Sequence, residues 1–433
     1  MQLHVYEVSP ILTRIEQTTS RTLAALFGLE GPFAGGVSQP GGSASNLTAL
    51  VVARNTLFPH SKSQGYDGRK FVMLASADSH YSLEKAAQVC GFGSSNVWSV
   101  PVDAQGCMRV SDLESMIRKA RDQDLTPFFV CATAGTTVLG SYDPLPAIAT
   151  VCKREDLWFH VDASWGGAVV FSSSLKHRMA GSERANTLAF NPHKMLGVPV
   201  TCSFLLTPDL RQFKRANTIN AGYLFHQINS NANSAAVNGH TEPESQHQAR
   251  LPNGMDEATI TSDADGPHHA IDGVESTSGS LDDLGDLTLQ CGRKGDSLKL
   301  FLGWLYYGKS YYGQQIEEAF ATAAHLANLV NAHPRLLLLS ERPPPCLQVC
   351  FYYVGKEERG QKGEDSERNT WLTKLVAKGL AGRGFMIDYA PGKMGMFLRA
   401  VVHLSVKKET VEYLVRDVVE VGDSVVGEHS GKR

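Results

Sequence analysis

Residues 187–206, TLAFNPHKMLGVPVTCSFLL, place a single lysine between two segments that read as buried strands. Lys194 directly follows His193 on a short turn, with residues 187–190 before it and the mostly apolar run 198–206 after it. Burial lowers the pKa of an ammonium group and favours the neutral, nucleophilic amine. That amine is the form a lysine needs to hold a carbonyl cofactor as a Schiff base. The alternative interpretation is an ordinary surface charge.

A carboxylate follows a similar strand pattern earlier in the chain. Residues 157–163, LWFHVDA, are a mostly apolar and aromatic run that ends at Asp162 and continues into small residues. This pattern is typical of a buried parallel strand ending at a crevice, where open α/β sheets bind their ligands. A carboxylate buried there needs a cationic partner, and the protonated pyridine nitrogen of pyridoxal phosphate would be one. The alternative is an Asp that caps the following turn.

The length and charge of the chain limit its function. With 433 residues the chain is too long for one ordinary core, so we expect two domains. A net charge of −3 gives no electrostatic case for binding nucleic acid or an anionic membrane. No apolar stretch reaches membrane-spanning length, and the N-terminus has no signal-peptide pattern. The eight cysteines show no metal-ligand spacing, which favours reduced core thiols, no bound metal and a cytoplasmic location.

Strands alternate with helices through the first half of the chain. Ser9-Pro10 and the capping-box spacing of residues 111–114 predict helix starts. The alternation predicts a mostly parallel, doubly wound α/β sheet. His80, Thr137 and Asp162 each come just after a predicted strand, so we expect them at one edge of the sheet. Taken alone, a histidine at such a junction is more often a capping or packing residue.

A glycine-rich turn, residues 40–46 (PGGSASN), opens into an apolar helix. Free backbone N–H groups and the positive end of the helix dipole make such a turn an anion site. The alternative is a plain capped turn.

The second half of the chain contains a polar segment and then a smaller α+β region. Residues 227–283 are rich in Asn, Ser, Asp, His and Gly and predict a disordered insertion. We expect a large domain over residues 1–310 and a small C-terminal domain over residues 311–433. In the small domain Arg399 interrupts an apolar strand, where it would bind a carboxylate or form a structural ion pair.

With these segments in order, the chain resembles the group II pyridoxal-phosphate-dependent decarboxylases, and among them glutamate decarboxylase and cysteine sulfinic acid decarboxylase. The resemblance covers nearly the whole chain outside the insertion. It rests on PGGSASN at 40–46, DSHYS at 78–82, ATAGTT at 132–137, HVDASWGG at 160–167, NPHKMLGVP at 191–199, QCGRK at 290–294 and FLRAVV at 397–402.

The resemblance implies a fold, a cofactor and residue roles. The fold is the aspartate-aminotransferase type (fold type I), in a homodimer with active sites at the subunit boundary, and the cofactor is pyridoxal 5'-phosphate. Lys194 would carry the cofactor as an internal aldimine, Asp162 would pair with the pyridine nitrogen, and His80 and the Ala163 methyl would pack on opposite faces of the ring. The remaining implied contacts are to the phosphate (Ala44, Ser45, Asn191, His193), to the cofactor (Thr137) and to the substrate α-carboxylate (Arg399).

The implied reaction is decarboxylation of a small acidic amino acid, namely glutamate, aspartate or cysteine sulfinate. Two features depart from the family pattern. The chain begins at a segment that lies inside the catalytic domain of these enzymes, and residues 276–286 lack the tyrosine that protonates the reaction intermediate. The missing tyrosine leaves two alternatives: oxidative deamination to an aldehyde, or a catalytically impaired homologue that still binds the cofactor.

Overall fold

The computed structural model describes residues 2–3, 6–219, 281, 283–355 and 366–430. Its strands are β1 Gln2–Leu3, β2 Gly35–Ser38, β3 Phe71–Ser76, β4 Val97–Val100, β5 Thr126–Thr133, β6 Trp158–Asp162, β7 Thr187–Phe190, β8 Phe204–Thr207, β9 Arg293–Lys294, β10 Leu336–Leu338, β11 Gln348–Tyr353, β12 Asp388–Gly392 and β13 Gly395–Val401. Its α-helices are α1 Pro10–Leu26, α2 Gly42–Leu57, α3 Ser61–Gln64, α4 Ser82–Val89, α5 Val110–Asp122, α6 Leu145–Arg154, α7 Leu210–Asn217, α8 Ser297–Ala332, α9 Ser366–Ala381 and α10 Lys408–Ser430.

The main sheet has seven strands in the order β2-β8-β7-β6-β5-β3-β4. Strands β3 to β7 pair in parallel, and β8 runs antiparallel to both β7 and β2. The expected mostly parallel sheet is therefore confirmed. Because the parallel strands share one direction, β5, β6 and β7 all end at the same edge of the sheet.

Helices cover both faces of this sheet, as the doubly wound prediction requires. Along β3, Val72 and Leu74 belong to one buried apolar cluster, which includes side chains from α5, α6 and α8. The alternate residues Phe71, Met73 and Ala75 belong to a second cluster, with side chains from α2, α4 and α7. Successive side chains of a strand point to opposite faces, so a strand buried on both faces is apolar throughout.

The two predicted helix starts have different outcomes. Helix α1 begins at Pro10 with Ser9 as its N-cap residue, as expected, although the Ser9 side chain makes no capping hydrogen bond. The capping-box prediction for residues 111–114 is wrong. Helix α5 begins earlier, at Val110, and its N-cap residue is Arg109. Arg109 makes no side-chain capping hydrogen bond, and its guanidinium forms an ion pair with Asp112 (2.6 Å).

A second sheet, of four antiparallel strands in the order β10-β11-β13-β12, follows in the C-terminal part. One of its faces packs with α9 and α10, and its other face packs against Val138 and Leu139 from the loop after β5. The domain boundary that we predicted after residue 310 falls within α8, close to the non-helical Gly308 (φ 76°). Glycine adopts such a φ without the steric penalty of a side chain. The domain division itself remains a prediction.

Two sequence-based expectations concern segments away from both sheets. The predicted disordered insertion, residues 227–283, lies outside the described residues except for positions 281 and 283. Within the described ranges, no helix has both the length and the apolar character needed to cross a membrane.

Candidate active site

A cavity of about 580 Å³, a volume that includes its open mouth, lies at the edge where β5, β6 and β7 end. The N-termini of α2 and α4 and the turn after β7 close its other sides. Six of the ten residues that we predicted as site residues line this cavity: His80, Thr137, Asp162, Asn191, His193 and Lys194. Its wall also contains Gly42, Ser43, Asn46, Ser82, Thr133, Gly135, Ser164 and Trp165.

Asp162 is the last residue of β6 and is only 6% exposed. Its Oδ1 accepts a hydrogen bond from the Ser164 backbone N–H (3.0 Å), and its Oδ2 accepts one from Nδ2 of Asn46 (2.9 Å). Burial by itself raises the pKa of this carboxyl group, but the charge of Lys194 and these two hydrogen bonds outweigh it, so the pKa is lowered. Asp162 is therefore an ionised carboxylate at neutral pH.

Lys194 lies on the turn between β7 and β8, and its backbone N–H donates to the Asn191 carbonyl (3.0 Å). The Nζ atom lies 5.4 Å from the centroid of the Trp165 ring, within the range of a cation–π contact. Burial lowers the pKa of Lys194, and the opposing attraction of Asp162 reduces that effect. The turn thus provides an amine that loses its proton more readily than an exposed lysine does, as its sequence context predicted.

The N-terminus of α2 contacts the turn that carries Lys194. A Cβ atom at Gly42 would lie 2.6 Å from Nδ2 of Asn191 and 2.9 Å from Oγ of Ser164, so a larger residue there would displace these two side chains. Oδ1 of Asn191 accepts a hydrogen bond from Ser203 (2.5 Å), which leaves the Asn191 amide N–H groups facing the helix end. The first N–H groups of a helix lack intrahelical acceptors. This side of the cavity is therefore suited to an anion.

His80 lies between β3 and α4 and is partly buried. Its Nδ1 accepts a hydrogen bond from the Ser82 backbone N–H (3.2 Å), so the proton of the neutral ring is on Nε2. Burial lowers the pKa of His80, Asp162 opposes that effect, and Lys194 and Lys85 add to it. His80 is therefore a neutral imidazole with an available N–H donor at the cavity wall.

Four of the predicted site residues lie outside the cavity wall. Ser45 is fully buried with its Oγ 3.1 Å from that of Ser203, and Ala163 lies in the apolar core. Ala44 is half-buried in the first turn of α2. Arg399 forms an ion pair with Asp388 (2.8 Å) and donates to the Thr137 carbonyl, so it lies behind a residue of the wall. The cofactor and substrate roles of all four remain predictions.

Several polar residues of the wall were not predicted from the sequence. Thr133 is 5% exposed, and its Oγ1 has no hydrogen-bond partner among the described residues. Asn46 was quoted as part of a motif, but its contact with Asp162 was not expected. Asn46 adjoins the predicted Ser45, and Thr133 lies in the quoted motif at 132–137, four positions before Thr137; those motifs were the only available signal.

The arrangement fits pyridoxal phosphate on three counts. It combines an amine of lowered pKa (Lys194), an ionised buried carboxylate (Asp162) and an anion-binding helix end beside Asn191. The unpartnered Oγ1 of Thr133 offers a further hydrogen bond to a polar ligand. Fold and site together define a pyridoxal-phosphate enzyme of fold type I.

Comparisons with known proteins agree with this class. The family model described as the pyridoxal-dependent decarboxylase conserved domain matches residues 2–248. The chain is 44% identical to the L-aspartate decarboxylase dtxS4 of Metarhizium robertsii over 98% of its own length and 74% of the relative. It is 32% identical to the acidic amino acid decarboxylase GADL1 of Mus musculus, over 97% of this chain and 68% of that protein.

Among solved structures, mouse CSAD superimposes with a TM-score of 0.80 at 31% identity, over 98% of this chain and 78% of the other. A rice TDC structure with PLP and tryptamine, at 23% identity and a TM-score of 0.78, supports the fold alone; it covers 97% of this chain and 78% of that one. The chain belongs to the pyridoxal-dependent decarboxylase family, and its cofactor is pyridoxal 5'-phosphate. The expected family, fold and cofactor are confirmed.

Proposed function

We propose that this protein removes the α-carboxylate of a small acidic L-amino acid. The observation that carries the proposal is the placement of Lys194 and Asp162, with opposite charges and lowered pKa values, in one cavity. Aspartate is the leading candidate substrate because the relative at 44% identity is named an L-aspartate decarboxylase. Glutamate and cysteine sulfinate are the other candidates.

The residues in and around the cavity would have separate roles in this reaction. When bound, pyridoxal phosphate supplies an electron sink for the electron pair left behind by departing CO₂. Lys194 would hold the cofactor covalently, and Asp162 would keep a proton on the ring nitrogen. The α2 N-terminus, including Ala44 and Ser45, would hold the phosphate together with Asn191 and His193. Thr137 would contact the cofactor, and the Ala163 methyl would support one face of its ring.

Arg399 is the proposed partner of the substrate α-carboxylate. Its guanidinium group is fixed by the Thr137 carbonyl and by Asp388, and its Nε is buried without a partner among the described residues. An incoming carboxylate would share the guanidinium with Asp388 or displace it. Because Asp388 is 65% exposed, displacing it into water costs little.

His80 is the proposed donor of the proton that replaces CO₂ on Cα. Its neutral ring carries a proton on Nε2, and the partly exposed Tyr81 ring lies 4.4 Å away from it. A positioned imidazole contributes about 10²–10⁴-fold as a general acid.

The test is a substrate panel with purified protein and added cofactor. Aspartate, glutamate and cysteine sulfinate are supplied in turn, and mass spectrometry follows CO₂ together with β-alanine, GABA or hypotaurine. We expect product from at least one acid, none from Lys194→Ala, and an unchanged rate in the matched control Lys176→Ala, whose side chain is exposed. An absence of CO₂ from all three acids would reject the proposal.

A second candidate reaction is conversion of the amino acid to an aldehyde. The observation that favours it is the absence of tyrosine from residues 276–286. In that case O₂ accepts two electrons, water supplies the aldehyde oxygen, and CO₂, ammonia and hydrogen peroxide leave with the aldehyde. Release of peroxide in step with CO₂ would distinguish this reaction from simple decarboxylation, and a protein that binds the cofactor without any turnover would be the impaired homologue.

The proposed assembly is a homodimer in the cytoplasm. Apolar side chains on both sides of the α8 kink are exposed, including Tyr306 (81%) and Leu302 (53%), and Tyr307 stacks on Tyr311 at 4.6 Å between ring centroids. Exposed apolar patches of this kind mark protein interfaces. Light scattering should give twice the mass of the chain, and Tyr306→Asp should shift the protein toward monomer.

A further inference from the structure

A row of buried side chains runs from the core to Asp162 on the side away from the cavity mouth. Trp158 Nε1 lies 2.9 Å from Thr187 Oγ1, and Thr187 Oγ1 lies 2.9 Å from His160 Nδ1. His160 Nε2 lies 3.1 Å from Asn46 Oδ1, and Asn46 Nδ2 lies 2.9 Å from Asp162 Oδ2. The first four of these residues are at most 3% exposed, so water does not substitute for any partner.

The hydrogen bonds of this row can point in only one direction. An ionised Asp162 can only accept, so the Asn46 amide must direct its NH₂ group toward it and its Oδ1 toward His160. His160 must therefore carry its proton on Nε2 and accept at Nδ1. The Thr187 hydroxyl accepts the Trp158 indole N–H, and its own proton is the one that satisfies Nδ1 of His160.

The other contacts of the row keep the two central groups in place. Asn46 Nδ2 also donates to Ser82 Oγ (2.9 Å), so both amide hydrogens are used. The His160 ring stacks on Phe129 of the neighbouring strand, with 5.5 Å between ring centroids. A flip of the amide would turn an oxygen toward the Asp162 carboxylate, which is strongly unfavourable in a buried site.

We propose that His160 and Asn46, oriented by the Thr187 hydroxyl, are positioning residues that hold Asp162 in the geometry that binds the ring nitrogen of pyridoxal phosphate. His160 and Thr187 lie outside the cavity wall and Asn46 borders the cavity beside Asp162; in this proposal all of them act through Asp162. The inference deepens the proposed function and rests on the proposed contact between Asp162 and the ring nitrogen.

The test compares two ligands and uses binding as its readout. The apoprotein is titrated with pyridoxal phosphate and with an analogue in which carbon replaces the ring nitrogen. Thr187→Val keeps the shape of the side chain and removes the proton that fixes His160. We expect it to weaken the binding of pyridoxal phosphate about tenfold, as the loss of one buried hydrogen bond does, and to leave the analogue within about twofold. Thr187→Ser restores the hydroxyl and should restore the affinity.

A second variant keeps the inference testable even if Thr187→Val fails to fold. Asn46→Asp has nearly the same shape, but it places an oxygen against Asp162 and should weaken pyridoxal phosphate binding by more than Thr187→Val does. Equal loss for both ligands in the two variants would show a purely structural role and overturn the inference. Asp162→Asn distinguishes failure of the positioning inference from failure of the proposed contact between Asp162 and the ring nitrogen. If Asp162→Asn also weakens both ligands equally, the proposed contact is wrong, and the positioning inference is wrong with it.

Discussion

Two buried aspartates near the same edge of the sheet have carboxyl pKa values that are shifted in opposite directions. Asp143 is 3% exposed and Asp162 is 6% exposed. Each accepts two N–H hydrogen bonds: Asp143 from Met108 (2.6 Å) and Thr133 (2.7 Å), and Asp162 from Ser164 and Asn46. Yet the pKa of Asp143 is raised to about 6, whereas that of Asp162 is lowered.

The difference between them is a neighbouring cation. Burial raises both pKa values, and two N–H donors are insufficient to reverse it at Asp143, where the charges of Asp78 and Asp103 raise the pKa further. At Asp162 the Lys194 charge tips the balance. Burial with two hydrogen bonds therefore leaves Asp143 with a raised pKa, and the nearby lysine charge gives Asp162 a lowered pKa and a stable negative charge that can bind a cationic ring.

The largest effect is expected for Asp162→Asn, which keeps the shape and removes the charge. The decarboxylation rate should fall about 10²–10³-fold, as on loss of an electrostatic group that acts in the transition state. The rate is measured as CO₂ release at saturating cofactor, with the exposed Asp122→Asn as the control. A loss below tenfold would show that the charge of Asp162 is dispensable.

Asp143→Asn should act on stability alone. One of its two N–H donors loses its acceptor, at a cost of about 1–3 kcal/mol in the free energy of unfolding. Because the folded pKa of Asp143 lies above its unfolded value, the contribution of Asp143 to wild-type stability falls as pH rises from about 4 to 6.

Urea titrations at pH values between about 4 and 6 measure how the free energy of unfolding changes with pH. In Asp143→Asn the fall contributed by Asp143 should be missing. Asp162→Asn should leave it unchanged, because the pKa of Asp162 lies below this window. An identical pH dependence in wild type and Asp143→Asn would contradict the assignment of the raised pKa to Asp143.

Lys194→Met should make Asp162 resemble Asp143. Without the cation, burial raises the pKa of Asp162, and each unit of increase corresponds to about 1.4 kcal/mol. Since the folded pKa would then exceed the unfolded one, the apoprotein should lose stability more steeply than wild type as pH rises above 4. A slope equal to that of wild type in urea titrations would show that the Asn46 and Ser164 hydrogen bonds suffice without the lysine.

The smallest effect is expected at a third carboxylate, the exposed Asp388. Its ion pair with Arg399 is solvated, so Asp388→Asn should change stability by less than about 1 kcal/mol. If Arg399 binds the substrate α-carboxylate, removal of this competitor should lower KM and leave kcat nearly unchanged. A raised KM would instead mean that Asp388 is needed to hold the guanidinium in place.

The sequence was a good guide to the residues that follow strands and a poor guide to what those residues touch. His80, Thr137 and Asp162 were placed at one edge because parallel strands share a direction, and Lys194 was placed on a turn between two buried strands; all four line the cavity. The Asn46–Asp162 contact joins residues 116 positions apart. No local pattern encodes such a contact.

Arg399 is a second residue whose contacts could not be predicted from the sequence. Its position in an apolar strand allowed a structural ion pair or a carboxylate site, and composition could not separate them. In the structure Arg399 forms an ion pair with Asp388 and also lies behind the cavity wall, where it donates to the Thr137 carbonyl. Both readings therefore still apply to the same guanidinium, and the Asp388 variant discriminates between them.

The order of apolar strands, glycine turns and strand-end polar residues was enough to predict the parallel sheet and to select Lys194 and Asp162 as candidate site residues, because strand burial and strand direction follow from local composition and connectivity. Three properties were decided only by the tertiary structure: which carboxyl group has a raised pKa and which a lowered one, which tautomer His160 holds, and which side chains lie behind Asp162. Those properties depend on charges and hydrogen-bond donors brought within about 3 Å from distant parts of the chain, and only the folded chain brings them together.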